Sequence, residues 1–229
     1  MRGLYAIVDL EILAARCIEP VAFAEAVLAA DPAALQLRAK RTAPREVLSI
    51  LRALAPLCRR ARAPLVANDR PDLALLAGCD MVHVGQTDMA IEAVRRLAPG
   101  MGIGVSTHSL DQLDAALAAR PSYVAFGPVF ETKTKRDSDP VVGVAALRQA
   151  HLRATSARIP LVAIGGITRD RARSLADAAD AVAVIGELLP DGIVGTPPNA
   201  VNEALAEVTA RGRAYGALFG RPPRASASG

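Results

Sequence analysis

Gln36, Arg38 and Lys40, set two residues apart, are the first side chains in this 229-residue sequence whose types and spacing could carry chemistry. At a strand end that spacing sends all three the same way, giving an amide and two cations in one patch suited to a polyanion. Taken alone, the segment QLRAK is equally a solvated loop. Asn68 and Asp69 come next, then Gln86 and Asp88. The carboxylates of Asp69 and Asp88 are hard oxygen donors that could share a Mg²⁺ ion. Each has an ordinary alternative as a helix cap, Asp69 before Pro71 and Asp88 before Met89, and the metal reading draws its weight from the basic patch beside them. Ser106, Thr107 and His108 follow. The stretch GPVFETKTK, Gly127 to Lys135, then sets the hydroxyls of Thr132 and Thr134 beside Lys133 and Lys135, as a flap over phosphate would. Gly165-Gly166, and Gly186 after Ile185, offer backbone N–H groups that can approach a phosphate monoester at helix N-termini. Of the three histidines, His83 reads as a packed core residue without a role, His108 as a loop-orienting group and His151 as solvent-facing.

The elements that must position these residues are legible as short apolar runs alternating with longer Ala/Leu/Arg stretches of helical period. The strands expected are Leu4–Val8, Ala34–Leu37, Leu65–Ala67, Met81–Val84, Gly102–Val105, Tyr123–Phe126, Leu161–Ile164 and Ala181–Ile185, with helices including Pro44–Ala61, Asp111–Ala119 and Arg169–Ala178. Eight strand-then-helix units predict an α/β fold, a single (β/α)8 TIM barrel, over an open doubly wound sheet. Nearly every polar cluster falls directly after a strand, which in a barrel is the catalytic face. The catalytic domain is expected over residues 1–210. The segment RGRAYGALFGRPPRASASG, residues 211–229, reads as a flexible tail from its Gly, Pro, Ser and Arg content.

Composition narrows the class. The chain is 52% hydrophobic but only 3% aromatic and has no Trp, so its core rests on Ala, Val, Leu and Ile, as suits parallel strands under helices. The net charge of +4 is scattered without interleaved aromatics, which argues against a nucleic-acid partner. Nearly all positive charge is Arg; the only lysines are Lys40, Lys133 and Lys135, and a Lys kept where Arg serves elsewhere marks a need for a compact point charge. The start MRGLYAIVDL has no signal-peptide pattern, three cysteines form no metal-like spacing, and no apolar stretch is long enough for a bilayer. A cytoplasmic protein without membrane contact is expected, and a homo-oligomer is compatible with the sequence.

Read in order, QLRAK, NDR, HVGQTD, GVSTH, GPVFETKTK and AIGGI, from Gln36 to Ile167, resemble the thiamine-phosphate synthase family. The resemblance implies the barrel and a transferase activity, thiamine-phosphate synthesis. A pyrimidine diphosphate, 4-amino-2-methyl-5-pyrimidinylmethyl diphosphate, is joined to 4-methyl-5-(2-phosphoethyl)thiazole or its carboxylate form, giving thiamine phosphate and pyrophosphate. By matching motif it assigns Gln36, Arg38, Lys40, Asn68, Ser106 and Lys135 to the diphosphate substrate, with Arg38, Lys40, Ser106 and Lys135 catalytic, and Asp69 and Asp88 to the Mg²⁺ cofactor. Thr132, Thr134, the Gly166 backbone and the Ile185-Gly186 turn are implied for the thiazole phosphate. Such chemistry needs charge neutralised on a departing diphosphate rather than a strong base, which agrees with the lack of a Ser/His/Asp or Cys/His triad. Three positions depart from the family pattern: Ala39 where an acid is frequent, Glu131 where Pro is usual and Gly186 where Ser is common. FET in place of FPT is also similar to the related thiazole tautomerases, which usually lack the diphosphate and magnesium residues. A non-catalytic barrel that binds a thiazole phosphate is the third reading.

Overall fold

A computed structural model of the chain describes residues 1–132, 139–189 and 198–220. Eight parallel strands close into a barrel in sequence order, β1 pairing with both β2 and β8. The strands are β1 (Gly3–Asp9), β2 (Ala34–Arg38), β3 (Leu65–Asn68), β4 (Met81–Val84), β5 (Gly102–Thr107), β6 (Tyr123–Phe126), β7 (Leu161–Ile164) and β8 (Ala181–Val184). Around them run α1 (Leu10–Ala15), α2 (Pro20–Leu28), α3 (Pro44–Ala61), α4 (Pro71–Ala77), α5 (Ile91–Leu97), α6 (Leu110–Ala118), α7 (Gly143–Ala157), α8 (Arg169–Arg173) and α9 (Pro198–Leu218), with a 3-10 turn at Gly186–Leu188. The expected barrel is therefore the fold. Several strands run one to two residues further toward the mouth than apolar character alone indicated, because Asp9, Arg38, Asn68 and Thr107 keep the ladder while turning polar.

Strand alternation separates two apolar layers. On β1, Leu4, Ala6 and Val8 face the helices and join Phe23, Val27, Leu51, Leu54 and their neighbours. Tyr5 and Ile7 face the barrel interior with Ala34, Val66, Tyr123, Ala125, Val162, Ala181 and Ala183. This interior is built mostly of small residues, so the two tyrosines fill its middle. Prolines open α2, α3 and α4 where no N–H is needed. At the lower rim, the carboxylates of Asp80 and Asp180 accept the first backbone N–H groups of β3 and β7, at 2.8 and 2.9 Å.

The expected tail does not leave the fold at residue 211. Helix α9 continues to Leu218, and Tyr215 and Phe219 are buried. Composition misled here because glycine in a helix normally weakens it. At Gly212 the missing side chain is what permits packing, since a Cβ there would stand 2.6 Å from the Ala30 Cβ. Residues 221–229 lie outside the described residues. Helix α8 is also shorter than expected, ending at Arg173. His151 is half-buried and faces the Asp180 carboxylate at 3.6 Å, so it is not solvent-facing.

Candidate active site

The C-terminal ends of β1 to β5 gather Asp9, Gln36, Arg38, Asn68, Asp69, Asp88 and Ser106 at the barrel mouth, with Lys40 reaching in from the turn after β2. Gln36 and Arg38 share the inward row of β2. Gln36 is buried and donates its Nε2–H to Asn68 Oδ1 at 3.2 Å, whereas the Asn68 amide nitrogen is buried without a hydrogen-bond partner among the described residues. A buried donor left over in this way is unusual and is a ready contact for an incoming acceptor.

The two cations of QLRAK do not form a bare basic patch. Arg38 is ion-paired to buried Asp9, whose other oxygen accepts the Ile12 N–H at the start of α1. Lys40 is ion-paired to Asp69. Glu11 accepts the backbone N–H groups of Lys40 and Arg41, both at 2.8 Å, pinning the turn that carries the lysine. Burial pushes the Glu11 carboxyl up, but the two N–H groups and nearby Arg38 outweigh it, and its pKa is lowered. Sequence reading missed Asp9 and Glu11. The signal was available, since both sit directly after the first strand, where every other site residue was sought.

Neither Asp69 nor Asp88 serves as a helix cap. The residue preceding α4 is Arg70, which makes no side-chain cap bond, and Ala90 precedes α5. Asp69 adopts a left-handed backbone, φ 61°, that lifts its carboxylate toward Lys40. Asp88 accepts the Gly85 N–H at 2.7 Å. The two carboxylates interact with each other. Burial, then the proximity of Asp88, raise the Asp69 pKa against the pull of Lys40.

Ser106 is held from below: its Oγ lies 2.7 Å from His83 Nε2, whose Nδ1 lies 2.8 Å from the Tyr123 hydroxyl, itself 2.6 Å from the Tyr5 hydroxyl. His83 is the packed core residue expected, with its pKa lowered to about 4 by burial, but it also touches a site residue, which its apolar neighbours in sequence did not indicate. Gln86 donates to the Ser106 carbonyl at 2.6 Å. His108 bonds the Gly127 carbonyl through Nδ1 at 2.6 Å and so ties the β5 loop to the loop after β6.

On the opposite side of the mouth, Gly165 and Gly166 have positive φ, 101° and 62°, and are jammed against the β6 loop. A Cβ would stand 2.4 Å from the Pro128 Cβ at the first and 2.2 Å from the Glu131 carbonyl oxygen at the second. The pair therefore has a packing reason: it lets residues 128–131 lie on the end of β7. Ile185 and Gly186 begin the 3-10 turn after β8, and a Cβ at Gly186 would meet nothing within 4 Å. Thr132 closes the described part of the flap. Lys133, Thr134 and Lys135 lie outside the described residues.

Residues 4–188 match the family described as thiamine monophosphate synthase. The chain belongs to this family. A thiamine-phosphate synthase of Koribacter versatilis (strain Ellin345) is 46% identical over 200 residues, covering 82% of this chain and 89% of that one. One from Laribacter hongkongensis (strain HLHK9) is 43% identical over 166 residues, covering 72% and 77%. Among solved structures, the thiamine phosphate pyrophosphorylase of Pyrococcus furiosus superposes with a TM-score of 0.73 at 32% identity, covering 91% of this chain and 94% of that one. Membership of the family extends through the strands that carry the mouth, since the matched residues run from β1 to the turn after β8. Among the described residues, no helix is long and apolar enough to cross a membrane.

Proposed function

We propose that the chain is a thiamine-phosphate synthase that couples 4-amino-2-methyl-5-pyrimidinylmethyl diphosphate to 4-methyl-5-(2-phosphoethyl)thiazole with loss of pyrophosphate, or to its carboxylate form with loss of pyrophosphate and CO2. The observation that carries this reading, given the family, is the pair Asp69 and Asp88, close enough to perturb each other and freed from capping, beside Lys40. Among the described residues no three His, Cys, Asp or Glu side chains cluster as a metal cage. Two carboxylates fit Mg²⁺, which commonly takes one or two from protein and the rest of its oxygens from substrate phosphate and water. Asp69 and Asp88 would hold the ion, which when bound neutralises charge on the diphosphate oxygens.

The chain's own residues supply the remainder. The Lys40 ammonium, now on Asp69, can swing to a phosphate oxygen when the diphosphate arrives, and its compact charge suits that exchange. Arg38 stays anchored by Asp9 while other N–H groups of its guanidinium meet the diphosphate. The buried Asn68 amide donor and the Ser106 hydroxyl face the same substrate, and Lys135 is assigned there by motif. As the C–O bond lengthens, these donors receive the negative charge gathering on the leaving oxygens. The pyrimidine amino group steadies the cation left behind, and the thiazole nitrogen adds to it without a protein base. Thr132, Thr134, the Gly166 backbone and the Ile185-Gly186 turn are the proposed cradle of the thiazole phosphate.

The test is incubation of the chain with both substrates and Mg²⁺. Thiamine phosphate and pyrophosphate should form in equal amounts, and chelation should stop both. Isomerisation of a thiazole carboxylate phosphate that survives chelation would identify a tautomerase instead. Thiazole phosphate binding with neither reaction would identify a silent barrel.

A further inference from the structure

The polar chain through the barrel interior has a direction. His83, Gly104 and Tyr123 are register partners on β4, β5 and β6. With no side chain at Gly104, the Tyr123 ring lies across that position, where a Cβ would stand 2.0 Å from its Cζ. The ring thereby reaches His83, 5.6 Å between centroids and 23° from parallel. Tyr5 and Tyr123 are almost wholly buried, at 2% and 0% exposure, so an unmatched hydroxyl hydrogen in this interior is costly.

Counting hydrogens settles the order. A neutral imidazole donates from one nitrogen and accepts at the other. If Ser106 donated to His83 Nε2, Nδ1–H would donate to Tyr123, Tyr123 to Tyr5, and the Tyr5 hydrogen would have no acceptor among the described residues, since Tyr5 bonds only Tyr123. In the reverse order Tyr5 donates to Tyr123, Tyr123 to Nδ1 and Nε2–H to Ser106 Oγ, and every buried hydrogen is used. A doubly protonated ring would still donate Nε2–H to the serine. We infer that Tyr5, Tyr123 and His83 are positioning residues that hold Ser106 as a hydrogen-bond donor aimed into the mouth. This rests on the reading of the site as a diphosphate-ionising one. There, a hydroxyl turned inward would present lone pairs to an anionic leaving group, and one held outward presents its hydrogen.

Ring-nitrogen NMR of the full chain at neutral pH tests the direction, with His83 assigned by comparison with His83→Gln. Expected is hydrogen on Nε2 and a bare Nδ1; hydrogen on Nδ1 alone overturns the inference, whatever the activity. The kinetic arm uses Tyr123→Phe with both substrates and Mg²⁺. It frees the ring to take either tautomer, so kcat should fall about tenfold, the worth of roughly one neutral hydrogen bond, with little change in KM. In a Ser106→Ala background the same substitution should cost nothing further. An equal fall in both backgrounds means that Tyr123 only packs and overturns the positioning role. Full turnover by Ser106→Ala overturns the catalytic half together with the reading of the site, a failure the NMR arm separates from a wrong tautomer.

Discussion

Asp88 tests the site at the residue scale because its two possible jobs predict different losses. As an ion ligand, its replacement by Ala should cost about 2–4 kcal/mol in the transition state and move the Mg²⁺ dependence of the rate to higher concentration. The lost bond to the Gly85 N–H should cost only about 1 kcal/mol of stability. Thermal melts and steady-state rates of Asp88→Ala separate the two, and a stability loss with intact turnover would remove the metal assignment. His83 carries a pH signature. Its pKa is lowered from 6.5 to about 4 in the fold, so between these values the unfolded chain takes up a proton that the native barrel refuses. Stability from this group is full above pH 6.5 and drains as pH falls toward 4, at up to about 1.4 kcal/mol per pH unit. Denaturant titrations over that range should give a shallower pH slope for His83→Gln than for the parent chain.

At the scale of elements, the loop after β6 and the turn after β7 are one device. Val129 and Phe130 donate backbone N–H groups to Ile164 and Gly165, and Arg171 stacks its guanidinium over the Phe130 ring, 4.8 Å from its centre. This contact needs the two glycines, both for their positive φ and for the space of their missing side chains. Gly165→Ala should therefore cost more than about 1 kcal/mol of stability. It should also raise KM for the thiazole phosphate more than KM for the pyrimidine diphosphate, because the part of the loop it displaces, beginning at Pro128, lies on the end of β7 beside the proposed thiazole cradle. Equal changes in both would place the loop's influence elsewhere.

At the scale of the whole molecule, the last helix covers β1, one of the two strands whose pairing closes the barrel. Helix α9 lies against α2 and β1, its Thr209 hydroxyl donating to the Ala26 carbonyl at 2.8 Å and its Gly212 admitting Ala30. Tyr215 and Phe219 complete the outer apolar layer. Truncation after Ala210 removes both rings, a loss of roughly 3–5 kcal/mol of apolar burial. It should lower the melting temperature sharply even though every proposed substrate contact lies upstream. A truncated chain with an unchanged melt would mean that the helix end is a passive cover.

Two things were determined by the sequence alone: eight βα units, whose number favoured a closed barrel over the open sheet that the pairing of β1 with β8 excludes, and the placement of polar side chains directly after strands. Each follows from short-range periodicity, because alternation and helical period are set by backbone geometry within one element. Pairing across elements is not written in such patterns. Asp9 and Glu11 escaped notice as partners of the QLRAK segment because they stand about thirty residues away and meet it only when β1 pairs with β2. Taken singly, Asp69 and Asp88 read as helix caps, and only the basic patch beside them favours a metal. The tertiary structure removes the cap role, with Arg70 and Ala90 preceding the helices, and neighbouring strand ends bring the two carboxylates under each other's influence. His83 kept its core assignment and gained neighbours, since register sets it beside Gly104, whose missing side chain lets Tyr123 reach it from one strand further, and Ser106 bonds it from two residues up β5. The end of the chain went the other way: glycine and arginine content argued for a tail, and the close approach of α2, a contact nearly two hundred residues distant, makes it a helix.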